Sequence, residues 1–395
     1  LPRPRISPTV ADAPVLDRVS FKNFKSLQDV TIDLSPLTVL VGPNGSGKSS
    51  VLAGIHLLSQ LGRSRPTKPS RWGRFGLTFS GPRDPRRLVR KTISELVLAI
   101  RDTSGDEFTL TIHLPVRDLD EIEFRVDVAG PRGRLHTAVP DDTDSDSVLD
   151  HPRVQHFASA VYLHLDATVL TRTSTTDEEL PRMAADGEGL ASTLAWLAGA
   201  KPDTLAAIAS DLAEVVPGVK RILVHRERIV DRVMEKVDID GQPIWRPVDR
   251  PRIGDRFSIE FTNGSEVPAD LLSEGTVLAL GLLTKLREPQ RPRLFLLDDI
   301  DRGLHIEAQA RLVATLRSLM QREPDLQIVC STHSTYLLNL FQPSEVRVLA
   351  LDADRATHAR PLTAHPEFAT WKYGTQTGEL WAALGSAWVT TRGEP

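Results

Sequence analysis

The chain is poor in cysteine, tyrosine and methionine, with one, three and three in 395 residues. A lone Cys330 cannot build an intrachain disulfide framework, which removes small stapled extracellular folds from consideration. Apolar runs are short. None approaches the roughly 20 residues that a membrane-spanning helix needs, so no membrane segment is expected. No heptad pattern is sustained, which argues against a long coiled-coil arm, and no internal repeat recurs at a fixed period. An excess of one charge is missing too: a formal net charge of −4 neither requires nor forbids nucleic acid, so the distribution of charge matters more than its sum. The opening LPRPRISPTV lacks a methionine and an apolar secretory core. Together with the single cysteine it gives the expectation of a trimmed start and a cytoplasmic location.

What is present is enough apolar residue, 40% of the chain beside 25% charged, to bury a sizeable core in about two domains. The most informative stretch is 37–50, LTVLVGPNGSGKSS, in which Gly42, Gly47, Lys48 and Ser49 satisfy G-x-x-x-x-G-K-[ST]. The apolar run 37–41 predicts a buried strand, and Gly42, Gly45 and Gly47 permit the tight backbone that aims successive N–H groups at phosphate oxygens. Val51, Ile55 and Leu58 recur at helical spacing, so a helix start adds its positive dipole end. Asn44, Gly45, Ser46, Gly47, Lys48, Ser49 and Ser50 are therefore the candidate nucleotide ligands, with Lys48 on the β and γ phosphates and Ser49 on Mg²⁺.

Residues 1–14 carry four prolines and read as a loose arm. Two short strands are predicted at 19–24 and 30–34. After the first helix, 62–91 holds ten cationic residues, among them Arg83, Arg86, Arg87 and Arg90, with Trp72, Phe75 and Phe79 interleaved and only Asp84 opposing. Such a segment suits phosphate backbones and base stacking, or equally a solvated surface loop. Strand patterns at 93–101, 107–114 and 122–128 suggest an antiparallel patch. The acidic run from Asp141 to Asp150 lacks the glycine and terminal glutamate of a calcium loop and reads as a solvated linker. Residues 189–216 turn helical with a break at Lys201-Pro202; strand-like pieces resume at Lys220 and end with 256–261 and an Asn263-Gly264 turn.

A second apolar strand at 294–297 ends in Asp298-Asp299, one carboxylate to hold Mg²⁺ and a neighbour to orient or deprotonate the attacking water. Upstream, Leu272-Ser273-Glu274-Gly275-Thr276 precedes an apolar helix and is similar to the LSGGQ signature of ABC-type ATPases. Asp301-Arg302-Gly303-Leu304-His305 resembles the D-loop of that class, and 328–330 leads into Ser331-Thr332-His333-Ser334, which resembles its switch histidine. Within the class the resemblance is to the RecF, SMC and OLD-type branch, including ATPases of bacterial anti-phage systems. Phe21-Lys22-Asn23-Phe24-Lys25-Ser26-Leu27 looks like that branch's N-terminal segment, and the likeness covers 19–61 and 270–351. Two departures stand out: Asp299 where the branch usually has Glu, and Ile306 for a common Pro. Gln155 is a candidate Q-loop residue or an ordinary strand-edge glutamine, and His305 a D-loop contact or a packing residue.

The fold class expected is α/β, an ABC-type P-loop ATPase head with an inserted antiparallel-β and helical subdomain. Three segments follow: an N-terminal lobe at 1–61, the insert at 62–268, and a C-terminal lobe at 269–395. The resemblance implies ATP and Mg²⁺ as ligands, Ser49 and Asp298 on the metal, Lys48, Asp299 and His333 as catalytic residues, and Ser273 and Gly275 on nucleotide held by a second subunit. It implies a homodimer or higher oligomer, DNA association or anti-phage defence, and control of a separately encoded nuclease or effector. A nucleotide-stabilised scaffold with slow hydrolysis is the alternative. Asp352-Ala353-Asp354 after the strand 346–350 is expected to be a terminal hairpin, not the start of a nuclease domain, with Trp371, Trp381 and Trp388 beyond it as core or partner contacts.

Overall fold

The structure, a computed structural model, describes residues 16–61, 95–102, 105, 107–113, 123–130, 133–139, 160–239, 242–371 and 374–391. The basic segment with Arg83, Arg86, Arg87 and Arg90, the acidic run and Gln155 lie outside them. In chain order, β1 (Leu16–Phe24), β2 (Leu27–Asp33) and β3 (Leu37–Val41) lead into α1 (Lys48–Leu61). Then come β4 (Glu95–Asp102), β5 (Glu107–His113), β6 (Glu123–Gly130), β7 (Gly133–Val139) and β8 (Val161–Leu163). After α2 (Ala167–Leu170), α3 (Leu190–Ala200) and α4 (Pro202–Val215) follow β9 (Val219–Ile239), β10 (Gln242–Phe261), β11 (Glu266–Pro268) and α5 (Glu274–Arg287). The remaining elements are β12 (Leu294–Leu297), α6 (Ile306–Arg322), β13 (Gln327–Ser331), α7 (Thr335–Leu338), β14 (Val346–Leu351), β15 (Thr357–Pro361), α8 (Phe368–Trp371) and α9 (Thr377–Leu384). They fall into two compact units, one of 1–163, 292–302 and 316–395, the other of 164–291 and 303–315.

The first unit is built on a six-stranded sheet in the order β15-β14-β3-β13-β12-β8, parallel except for the edge strand β15. Every residue of β3, β12 and β13 is buried. Such uninterrupted apolar runs belong to parallel strands covered on both faces, and this is why 37–41 and 294–297 show no alternation. A second sheet, β2-β1-β4-β5-β6-β7, is antiparallel, and β2 alternates buried with exposed residues as a half-covered strand does. Val19, Phe21, Ile32, Leu96 and Leu98 from this sheet share one core with Val51, Leu52, Ile55 and Leu58 of α1. Buried Gln327 ties the two sheets: its Nε2 donates to the carbonyls of Leu16 and Ser35, and its Oε1 accepts from Leu16 N.

The antiparallel strands expected inside the insert instead extend the N-terminal sheet, because β4 pairs with the open edge of β1 in the register Val19↔Ile100. The units therefore cut across the expected boundaries: β4–β7 group with 1–61, whereas the signature-like 272–276 groups with the middle of the chain. In the hairpin β14–β15, Asp352 accepts from the N–H groups of Asp354 and Ala356 and from His358 Nε2 at 2.8–2.9 Å. Trp388 is buried, its indole edge-on to His365.

In the second unit α5 is buried from Gly275 to Leu286, apolar as a central helix is apart from Thr276, Thr284 and Lys285, whose Nζ donates to Glu288 Oε2 at 2.8 Å. Pro202 at the first turn of α4 separates it from α3. The strand-like pieces after Lys220 form one continuous ribbon, β9 and β10, of 21 and 20 residues. At about 3.3 Å per residue it is roughly 70 Å long. The third strand, β11, pairs with Ser258, Ile259 and Glu260 alone, and Val230, Met234, Trp245 and Ile253 further out are 57–67% exposed. No helix among the described residues is long and apolar enough to cross a membrane.

Candidate functional site

Parallel order brings the C-terminal ends of β3, β13 and β12 side by side, and the loops after them carry 42–47, Thr332-His333 and Asp298-Asp299. The loop after β3 must be glycine-rich for steric reasons. A Cβ on Gly42 would lie 2.1 Å from the carbonyl oxygen of Leu349, and one on Gly47 2.5 Å from Thr357 Oγ1, so the loop leans directly on β14 and β15. Thr357 is itself fixed by Ser26, N to O and hydroxyl to hydroxyl, at 2.8 Å each. That gives the 21–27 segment a structural task at the loop. Val51 N donates to Gly47 O, so α1 begins here and its first N–H groups have no acceptor within the helix.

Lys48 is buried, and its Nζ donates to the carbonyls of Gly42 at 2.9 Å and Pro43 at 3.1 Å, leaving one proton for an anion. Burial pushes its pKa down, while Asp299 and Asp298 push back and favour the ammonium. Ser46 is buried, Asn44, Gly45 and Ser49 are exposed, and Ser50 is between.

Asp298 is half-buried. Its Oδ1 accepts from Ser331 Oγ and its Oδ2 from Tyr162 Oη at 3.0 Å. Ser331 Oγ also accepts from Asp299 N at 2.9 Å, so one hydroxyl fixes both acids. Asp299 has φ +49, the left-handed region that side-chain-bearing residues rarely adopt. Its Oδ1 lies 3.7 Å from His333 Nε2, and both side chains are about half exposed. Thr332 Oγ1 donates to Asp301 Oδ1 at 2.6 Å and accepts from Ser334 N at 3.0 Å, bracing the backbone that presents His333. Cys330 is fully buried in β13, and burial pushes its thiol pKa far up, leaving it inert.

Lys48, Asp298, Asp299 and His333, which the sequence singled out, thus belong to one unit at adjoining strand ends. Ser273 and Gly275 belong to the other. There Ser273 caps α5, its Oγ accepting from Thr276 N at 3.2 Å. The missing side chain of Gly275 makes room for Gly303, whose carbonyl oxygen a Cβ would meet at 2.5 Å. His305 is exposed and not a packing residue. Tyr162 was not singled out from the sequence. Its one signal is a phenol inside an apolar strand, which needs a polar partner but does not say which. Burial, then the nearby Asp298 carboxylate, push its pKa up and keep it a donor.

Anion and metal suit this donor set differently. The loop, the helix start and the remaining Lys48 proton fit phosphate. Among the described residues no group of three or more His, Cys, Asp or Glu is arranged for a metal. A hydroxyl at Ser49 and one carboxylate at Asp298 suit a cation that completes its shell from water and phosphate oxygens, as Mg²⁺ does.

The pattern of the family described as "AAA domain, putative AbiEii toxin, Type IV TA system" matches residues 37–339, from β3 through α7. The chain belongs to this AAA family. This AAA chain is similar to the OLD nuclease of Thermus scotoductus, 48% identical over 44 residues, which are 11% of the chain and 8% of that relative. It is 34% identical over 98 residues to the DNA replication and repair protein RecF of Aliivibrio salmonicida, 25% of the chain and 23% of the relative. The AAA chain thus spans a quarter or less of the length of these curated relatives.

Among solved structures, the SMC head bound to the C-winged helix domain of ScpA matches at TM-score 0.50 and 15% identity, over 88% of this chain and 97% of that one. An SMC head with an extended coiled coil, bound to the C-terminal domain of ScpA derived from Pyrococcus furiosus, matches at TM-score 0.50 and 12% identity, over 88% and 96%. At such identities the likeness is one of fold. The AAA chain thus has the fold of an SMC-type P-loop ATPase head and is similar over part of its length to RecF and OLD proteins.

Proposed function

We propose that this AAA chain binds and hydrolyses Mg²⁺-ATP and works as an ATP-gated dimeric switch. The observation that carries this is the meeting, in one unit, of a buried Lys48 at a glycine loop with Asp298, Asp299 and His333 at the neighbouring strand ends. Lys48 and the N–H groups around Gly45 and Gly47 hold the β and γ phosphates, and Ser49 and Asp298 hold the metal. The metal, when bound, neutralises charge developing on the phosphate oxygens. Asp299, presented outward by its left-handed backbone, orients the attacking water, and His333 beside it meets the γ-phosphate.

Ser273 and the N–H groups at the start of α5 offer a hydroxyl and a positive dipole end to nucleotide held by a second copy. A twofold pair then has two composite sites. Mixing a Lys48→Ala subunit with a Ser273→Arg subunit tests this. Each homodimer should be inactive and the mixture should regain turnover from one intact site. No recovery despite demonstrated subunit exchange overturns the composite site.

The names of the curated relatives, a nuclease and a DNA repair protein, support a DNA-associated or defence role in the cytoplasm, with a separately encoded nuclease as effector and Arg83, Arg86, Arg87 and Arg90 on the nucleic acid. A second reading has its own support: Asp299 is one methylene shorter than Glu, which favours slow hydrolysis in a scaffold that only times assembly. Turnover with and without DNA separates them, because a DNA-gated enzyme is stimulated and a scaffold is not.

A further inference from the structure

Tyr162 contacts both elements that carry the metal ligands of the proposed ATPase site. Its hydroxyl donates to Asp298 Oδ2 at 3.0 Å, and its ring packs at a tilt on His56, centroids 5.9 Å apart. His56 lies two turns along α1 from Ser49, the other metal ligand of that reading. β8, where Tyr162 sits, runs parallel to β12 with Tyr162 opposite Leu296, two residues before Asp298. A carboxylate free to spin about its terminal bond presents either oxygen, or both, to a cation. Asp298 is pinned on both sides, Oδ1 by Ser331 and Oδ2 by Tyr162, so the remaining lone pairs point one way.

From this geometry we infer that Tyr162 is a positioning residue for the divalent cation: it fixes the orientation of Asp298 and keys it, through the ring on His56, to the helix that carries Ser49. The inference rests on the assignment of Ser49 and Asp298 to the metal. Ser331 alone leaves Oδ2 without a partner, so removal of the phenol hydroxyl restores rotation to the carboxylate without removing a ligand. Outer partners of metal ligands change affinity by about 10- to 100-fold.

The test is Mn²⁺ binding, read by electron paramagnetic resonance with ADP present, for the native chain, Tyr162→Phe and Asp298→Asn, with ADP affinity in EDTA and thermal melting measured alongside. Tyr162→Phe should weaken Mn²⁺ about tenfold or more and leave metal-free ADP binding and melting near native, a split that a merely structural role would not give. The native chain supplies a second readout that needs no variant. Mn²⁺ should produce a tyrosine ultraviolet difference signal as Asp298 exchanges charge density from the phenol to the cation, and no such signal counts against the role. Native Mn²⁺ affinity in Tyr162→Phe, with Asp298→Asn weakened, overturns the inference and leaves the metal site standing. Native affinity in both variants overturns the metal site and the inference with it.

Discussion

Asp299 combines three properties that pull in different directions: an outward carboxylate, a left-handed backbone at φ +49, and an N–H bound to Ser331 Oγ. Asn tolerates that backbone well and keeps the shape of the side chain. Asp299→Asn should therefore fold normally and keep nucleotide affinity within about twofold while turnover falls by about 10²-fold or more, the ordinary worth of a water-orienting base. Steady-state hydrolysis and equilibrium nucleotide binding on the same preparation check it, and native turnover would move the role to another acid. At this scale the sequence was legible where spacing is imposed: Lys48, Ser49, Asp298 and Asp299 stand out because a phosphate loop and an acid-ended strand have a pattern along the chain. The bonds of Tyr162 and Ser331 to Asp298 were not legible, because a residue that only holds another side chain obeys a distance in space and no spacing along the chain.

Among the elements, β3, β12, β13 and α1 could be read from their apolar runs and periods, but the β9–β10 ribbon could not be read as continuous. Pro243, Pro247 and Pro251 interrupt the strand pattern of β10, and a proline inside a run ordinarily demotes it. The register explains the exception. Pairing with β9 passes through all three prolines, opposite Asp238, Met234 and Val230. Spaced by four, they occupy equivalent ladder positions, where the nitrogen faces away from β9. The outer edge of β10 therefore lacks a donor at every second outward position. Edges of this kind resist pairing with another chain. Pro247→Thr with Pro251→Thr should restore the donors and give concentration-dependent self-association in sedimentation velocity. An unchanged sedimentation profile over the same range would show that the prolines do not guard the edge.

At the scale of the whole molecule, the division into units was the least legible feature, because it depends on pairings between distant segments. β3 lies between β13 and β14, and β1 takes β4 as its partner across the phosphate loop and α1. A chain ended at residue 325 retains the complete phosphate loop but removes both neighbours of β3 and the Leu349 and Thr357 surfaces on which the loop rests. It should fail to bind ATP, as isothermal titration would show; binding at native affinity would mean that the loop is shaped locally.

The bond between Leu16 and Gln327 joins residues 311 positions apart. On a ribosome adding about 5–20 residues per second, that is a wait of about 15–60 s. During it the phosphate loop and β3 are made, but the strand neighbours of β3 and the Leu349 and Thr357 surfaces under the loop do not yet exist. The nascent chain must spend that interval with its phosphate loop unsupported and its central strand unpaired, so the cell's burden of protecting this protein falls during synthesis.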